Sequence, residues 1–396
     1  MKILVQKFGG TSVSTKEKRK LVVKKILNAK ALGYFPVVVV SAMGRKGEPY
    51  ATDTLLSLVD DSLKVSNPLA MDLLVSCGEI ISTVIMCNEL NNNGIDAVPL
   101  TGGQAGIITD SNYTNAAILN VETKKILSIL QNGKIPVVAG FQGMDEKGYF
   151  TTIGRGGSDV TAAILGARLN ACETQIYTDV DGIMTADPRI VSEATLIKEI
   201  SYDEIFQFAD QGAKVIHPRA VEISRKYNIP LVIKNTMNEC TGTVISNFES
   251  EVYENIITGI THMNNRVQIK ICKNSGSSYE DLFDILAQDL ISIDLINIFP
   301  KEKIFTIDEK DFTKFSDLIK ELNMSCSFVK DCSKISIIGS KMRGIPGVMA
   351  RILKALTREK IEVLQTADSH MTIWCLVETS YVKKAINALH KEFKLG

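Results

Sequence analysis

Short runs of β-branched and aliphatic residues recur over residues 1–245, and segments with apolar residues three and four apart lie between them. The runs are KILVQ (2–6), FPVVVVSA (35–42), DAVPL (96–100), KIPVVAG (134–140), ETQIYTDV (173–180) and IPLVIKN (229–235). Leu21, Val22, Ile26 and Leu27 carry the helical spacing between the first two. Near-continuous apolar strands alternating with such helices predict an α/β domain, a mostly parallel sheet sandwiched by helices. In such sheets ligands sit beyond the carboxyl ends of the strands. The stretches FGGTS, SAMGRKG, TGGQAG and DVDG follow strand runs, where a binding rim belongs.

The polar stretch NFESEVYEN (247–255) breaks this pattern, and residues 246–258 read as a linker. Residues 259–330 and 331–396 then read as two copies of one unit. Each has a strand (267–271; 334–339), a helix, two strands (291–298 and 304–307; 361–367 and 372–378) and a second helix. Ile291 and Ile361, which open equivalent strands, are 70 residues apart. Two ferredoxin-like βαββαβ modules are predicted, with no cluster of titratable groups, which suggests regulation.

Composition narrows the class. The 396 residues are 45% hydrophobic and 23% charged, and 45 basic side chains balance 45 acidic ones. A zero formal charge argues against nucleic acid or a membrane surface as partner. The eight cysteines form no CxxC pair and read as small buried hydrophobes, with no zinc or disulfide framework. No uninterrupted apolar run approaches the roughly 18 residues of a membrane span. A cytoplasmic protein is expected.

Four stretches could carry chemistry. In KFGGTSV (7–13), Lys7 precedes two glycines at the mouth of the first strand. It reads either as a turn capped by Thr11 or Ser12, or as an anion site of backbone amides and one ammonium. In LVSCGEIIS (74–82), Glu79 is either a residue of a helix N-terminus or a cation partner. TTIGRGGSDVTAA (151–163) is either a capped loop or a second anion site in which Arg155 forks onto a carboxylate. YTDVDGIMTADPR (177–189) gathers aspartates that would also suit turns. No Walker motif or protein-kinase signature is present.

Together with VVVVSAMG (37–44) and GAKVIHPRA (212–220), these stretches resemble the aspartokinase family, which has the amino-acid kinase fold. The resemblance runs nearly end to end, because the 70-residue repeats look like tandem ACT domains, and RGIPGVMARIL (343–353) looks like the ACT turn. It implies transfer of the ATP γ-phosphoryl group to the β-carboxylate of L-aspartate. That nucleophile has a pKa of about 3.9 and needs no general base. The resemblance assigns Lys7 and Asp159 to catalysis, with Asp159 orienting Lys7. It assigns Ser41, Thr52, Glu79, Arg155 and Ser158 to aspartate, with Ser41 and Thr11 also lining the phosphate path. ATP contacts would come from Lys7, Phe8, Gly9, Gly10, Thr11, Thr178, Asp179, Ile183, Met184, Thr185, Ala186, Asp187, Pro188, Arg189 and Lys214. Mg²⁺ would ride on the nucleotide, with no protein metal site. His217 would touch nucleotide or serve as a structural histidine; His262, His370 and His390 read as structural or regulatory.

The resemblance also implies feedback inhibition in lysine, threonine or diaminopimelate biosynthesis, and a homodimer or larger homo-oligomer formed through the ACT domains. Candidate effector contacts are Asn274, Ser275, Ser277, Ile293, Asp294 and Gln365. The first module departs from the family at KNSGSSYED (273–281), where a Pro-Gly turn is common. QTADSHMTIWCLV (365–377) is closer to diaminopimelate-sensitive members, with lysine or threonine as the other candidate effectors. Two alternatives stand beside this reading: an amino-acid sensor that has lost catalysis, and a sister kinase acting on another acceptor such as acetylglutamate, carbamate or UMP.

Overall fold

The structure, a computed structural model, describes residues 1–212, 215–247, 256–273, 279, 281–340, 342 and 345–396. The chain divides into two compact units: Met1–Ile183 with Leu196–Ala209 and Lys214–Glu249, and Met184–Thr195 with Asp210–Ala213 and Ser250–Gly396.

The first unit is built on an eight-stranded sheet. From edge to edge its strands are Glu199–Ser201, Thr243–Ser246, Leu231–Asn235, Glu173–Thr178, Ile3–Phe8, Phe35–Val40, Ile135–Ala139 and Ala97–Leu100. All neighbours run parallel except Leu231–Asn235 against Thr243–Ser246. Val37 to Val40 are fully buried, as a parallel sheet covered on both faces requires. A second sheet of four short strands, Ile118–Val121, Ile107–Thr109, Gln142–Asp145 and Phe150–Thr152, was not predicted.

The helix Pro68–Asn91 begins where the sequence marks it, with Asn67 accepting from the Ala70 amide at 3.1 Å and proline in the first turn. Averaged over a window, it is long and apolar enough to cross a membrane, although no uninterrupted run suggested one. It packs on the strands Ala97–Leu100, Ile135–Ala139 and Phe150–Thr152, and it carries the buried carboxyls Asp72, Glu79 and Glu89. Those carboxyls mark it as a core helix of this unit.

The second unit holds one antiparallel six-stranded sheet, ordered Ile293–Ile298, Glu302–Asp308, Gly259–Cys272, Cys326–Ile338, Thr372–Glu378 and Gln365–Asp368. The two ferredoxin-like modules share its central pair of strands. Arg266–Cys272 pairs with Glu302–Asp308 in the first module, while Gly259–Met263 pairs with Lys334–Ile338 of the second. The second module therefore takes its fourth strand from residues 259–263, upstream of the first, and the division at 330/331 falls inside one continuous strand. Two separate cores result: Val267, Ile269, Leu282, Phe305 and Phe315 in one, Ile335, Ile337, Ile352, Leu356 and Leu389 in the other. Of the eight cysteines, all free, Cys87, Cys332 and Cys375 are buried as expected, whereas Cys77, Cys172 and Cys272 are exposed.

Candidate active site

The strand Ile3–Phe8 delivers Lys7 to the carboxyl edge of the sheet. The chain then turns through Gly9 into the short helix Gly10–Val13. Neither Thr11 nor Ser12 caps that helix; its cap position is Gly9, without a side-chain bond, and Ser12 Oγ lies 2.7 Å from Thr236 Oγ1. A Cβ on Gly10 would sit 2.5 Å from the Ala42 carbonyl oxygen, so only glycine lets the two strand exits approach so closely.

The Lys7 ammonium stands 2.7 Å from Asp159 Oδ1, with the two side chains 12% and 13% exposed. Asp159 sits in the first turn of the helix Gly157–Arg168. Glu79 is in the middle of the helix Pro68–Asn91, not near its N-terminus, so no helix-end dipole stabilises it. A Cβ on Gly78 would meet Ala42 Cβ at 2.8 Å and the Tyr50 carbonyl at 2.9 Å, which explains the glycine in SCGE. That closeness lets the Ala42 amide donate to Glu79 Oε1 at 3.1 Å. The other oxygen, Oε2, is buried with no partner among the described residues. Burial pushes the Glu79 carboxyl up to about 8, against the opposing Ala42 bond.

A cleft of about 650 Å³ joins these groups, lined by Lys7, Gly10, Ser41, Thr52, Glu79, Arg155, Ser158 and Asp159. Arg155 is exposed and has no ion pair to any described residue. Among the described residues, the cleft thus offers a guanidinium without an ion pair, a paired ammonium and a carboxyl with one unsatisfied oxygen. That set complements a small molecule bearing both an ammonium and carboxylates. Asp72, Thr114, Phe141 and Thr152 also line it, and the sequence reading missed all four.

Other expected contacts are placed differently. Phe8 is fully buried and stacked on Tyr177, with centroids 4.7 Å apart, so its side chain cannot meet a nucleotide. The Gly9 amide donates to the Tyr177 carbonyl at 3.2 Å and is not a free cradle donor. Asp179 is held by Arg45, 2.7 Å away, and lies near Thr178 Oγ1 at 3.2 Å. The Ile183 amide donates to Thr243 Oγ1 at 2.8 Å and its carbonyl accepts from Ile197.

Met184 to Arg189 belong to the second unit. There Thr185 Oγ1 is 3.0 Å from His390 Nε2, and Ala186 is packed in the core with Val191, Ile337 and Leu389. Both side chains are thus engaged within the second unit. Arg189 forks onto Asp187, with its closest contact at 2.7 Å, beside Pro188. His217 caps the helix Pro218–Tyr227, its Nδ1 accepting from the Arg219 amide at 3.3 Å, which answers its open role with a structural one.

Of the expected effector contacts, Asn274, Ser275 and Ser277 lie outside the described residues, as does Lys214. Asp294 is not a free acceptor, because it pairs with the buried Lys334. Gln365 is engaged with Leu295, Asn297 and Gln268. Among the described residues, no group of three or more His, Cys, Asp or Glu side chains could hold a metal ion.

The amino acid kinase family is matched over residues 2–235 and an ACT domain over 327–391. Aspartokinase 1 of Bacillus subtilis is 44% identical over the full length of both chains. The aspartokinase of Geobacillus stearothermophilus is 38% identical over all of this chain and 98% of its own. Among solved structures, the aspartate kinase of Clostridium acetobutylicum superimposes with a TM-score of 0.82 at 25% identity, covering 98% of this chain and all of that one. E. coli aspartokinase III in complex with aspartate and ADP shares the fold, with a TM-score of 0.79 at 24% identity over 99% of this chain and all of that one. The chain belongs to the aspartokinases of the amino acid kinase family.

Proposed function

We propose that the chain transfers the γ-phosphoryl group of ATP to the β-carboxylate of L-aspartate, and that its C-terminal modules regulate this step. The observation carrying the reading is the single cleft that gathers Lys7, Glu79, Arg155 and Asp159. Glu79, with Oε2 unsatisfied, is the partner for the substrate ammonium, and Arg155 for its α-carboxylate; Ser158, Thr52 and Ser41 complete the aspartate contacts. The β-carboxylate is already ionised and attacks directly, so no side chain has to remove a proton. Lys7, oriented by Asp159, meets the charge that spreads over the transferred group. Gly10 and Thr11, whose amides have no acceptor within their helix, face the phosphates.

Thr178, Asp179 and the backbone of residues 183–189 form the nucleotide loop, with Arg189 and Lys214 as cations. Mg²⁺ arrives on the ATP phosphates and neutralises part of their charge. The kinase domain spans 1–245 and the linker 246–258. The modules span 259–330 and 331–396, with residues 259–263 completing the second. They bind lysine, threonine or diaminopimelate and associate across subunits of a cytoplasmic homo-oligomer. Because Asp294 and Gln365 are already bonded within the chain, effector binding there requires Lys334 to release Asp294. Steady-state ATP turnover with aspartate, acetylglutamate, carbamate and UMP tests the acceptor. The reading predicts turnover with aspartate alone and fails if another acceptor, or none, supports it.

A further inference from the structure

Asp72 is 1% exposed, yet lies along the wall of the cleft. Every partner it has is a donor. The Thr114 amide donates to both oxygens at 3.0 and 2.9 Å, the Thr152 amide to Oδ2 at 2.8 Å, and the Thr152 hydroxyl to Oδ1 at 2.7 Å. One carboxylate on the helix Pro68–Asn91 thus fastens a loop residue and the end of the strand Phe150–Thr152, three positions before Arg155. Thr114 itself has φ of +69°, a left-handed conformation costly for a β-branched residue. Phe141, also on the cleft wall, has φ of +69° and accepts from the Ile153 amide at 3.0 Å. Asp72 thus bridges the strained Thr114 to Thr152, which also accepts from the Ala116 amide at 2.8 Å, while the strained Phe141 holds Ile153 directly, and strain of this kind persists only where the surroundings impose it.

We propose that Asp72 is a positioning residue for the substrate end of the cleft. By binding Thr114 and Thr152 together, it fixes the start of the segment that presents Arg155. The inference rests on the assignment of Arg155 to the α-carboxylate of aspartate and adds the element that sets its place.

The test is Asp72→Asn, which keeps the shape but turns an amide nitrogen toward a donor. The KM for aspartate rises about tenfold while the KM for ATP stays within about twofold, because only one end of the cleft loses its anchor. Adding Thr114→Gly to that variant brings the aspartate KM back toward wild type, since glycine holds the left-handed conformation unaided. If Asp72→Asn does not fold, Thr152→Val, which removes only the hydroxyl bond, decides, with a rise in aspartate KM of about threefold. An unchanged aspartate KM in the folded variant, an equal rise in both KM values, or no rescue by Thr114→Gly overturns the inference. Arg155→Ala is measured beside them. A rise there with none in Asp72→Asn overturns this inference alone; no rise in Arg155→Ala overturns the pocket assignment and this inference with it.

Discussion

Lys7 on the first strand and Asp159 on the helix Gly157–Arg168 are 152 positions apart and meet at 2.7 Å, nearly enclosed by the cleft. An ammonium fixed in this way meets charge that develops in the transition state without reorganising. Lys7→Ala is expected to lower kcat by at least roughly a hundredfold, with a smaller change in aspartate KM. Asp159→Asn leaves the ammonium in place but unoriented and is expected to lose less. Steady-state kinetics on both variants check this; near wild-type turnover in Lys7→Ala removes its role.

Glu79 yields a pH dependence. Its carboxyl, raised to about 8 by burial, keeps a proton that the unfolded chain releases near 4.5. Between those values the folded state binds the extra proton, so this group lowers stability as pH rises through the window and has a constant effect above it. Glu79→Gln is therefore expected to flatten the fall in Tm of the ligand-free protein between about pH 5 and 8. A bound ammonium favours the ionised carboxylate, so aspartate KM is expected to fall as pH rises toward about 8 and to lose that slope in Glu79→Gln. An aspartate KM that rises over this range contradicts the assignment.

In the second unit, Lys334 is 3% exposed and pairs with an Asp294 side chain that is 41% exposed. Removing the carboxylate strands a buried ammonium, so Asp294→Ala is expected to destabilise this unit. The cost is about 1–3 kcal/mol, discounted for the exposure of Asp294. Lys334→Met removes the charge and frees Asp294, and it should tighten any lysine, threonine or diaminopimelate binding there. Calorimetric titration of each amino acid into both variants checks this; unchanged binding in Lys334→Met places the effector elsewhere.

His390 and Thr185 join the C-terminal helix Val382–Glu392 to the segment 184–195, which Thr195 Oγ1 also ties to the Leu395 carbonyl at 3.0 Å. His390→Leu is expected to speed amide exchange in the peptide 184–195 by at least about tenfold, the size of one lost buried hydrogen bond. His390→Gln, whose amide reaches the same position, should restore it. Exchange followed by mass spectrometry is the check, and unchanged rates in His390→Leu refute the coupling.

Much of this was legible because the pattern and the chemistry coincide. The parallel strands are continuous apolar runs, and Lys7, Arg155 and Asp159 converge because their stretches follow strands, while Glu79 reaches the same cleft from the middle of the helix Pro68–Asn91. The small sheet was hidden because strands of three or four residues such as QGMD have no period to read. The helix N-terminus reading of Glu79 fails, and Asn67-Pro68 already signalled a start far upstream. Phe8, Thr185 and Ala186 sit inside a matching motif, yet their side chains serve the core; a motif marks a place in the backbone, and packing decides which side chains face the ligand. Asp72 carries no motif signal, because its partners, two backbone amides and the Thr152 hydroxyl, are brought to it only by the tertiary structure. The shared strand around residue 330 was invisible for the same reason: pairing of 259–263 with 334–338 is a long-range contact.

The central claim is a phosphoryl transfer to a carboxylate, and its product, an acyl phosphate, reacts with hydroxylamine to give a hydroxamate. The most direct measurement incubates the intact chain with ATP, Mg²⁺, L-aspartate and hydroxylamine and quantifies hydroxamate against ADP. The account predicts that the two form in equal amounts, that both depend on aspartate, and that Lys7→Ala slows both by at least roughly a hundredfold. ADP released without hydroxamate, or hydroxamate formed from acetylglutamate in place of aspartate, would contradict it.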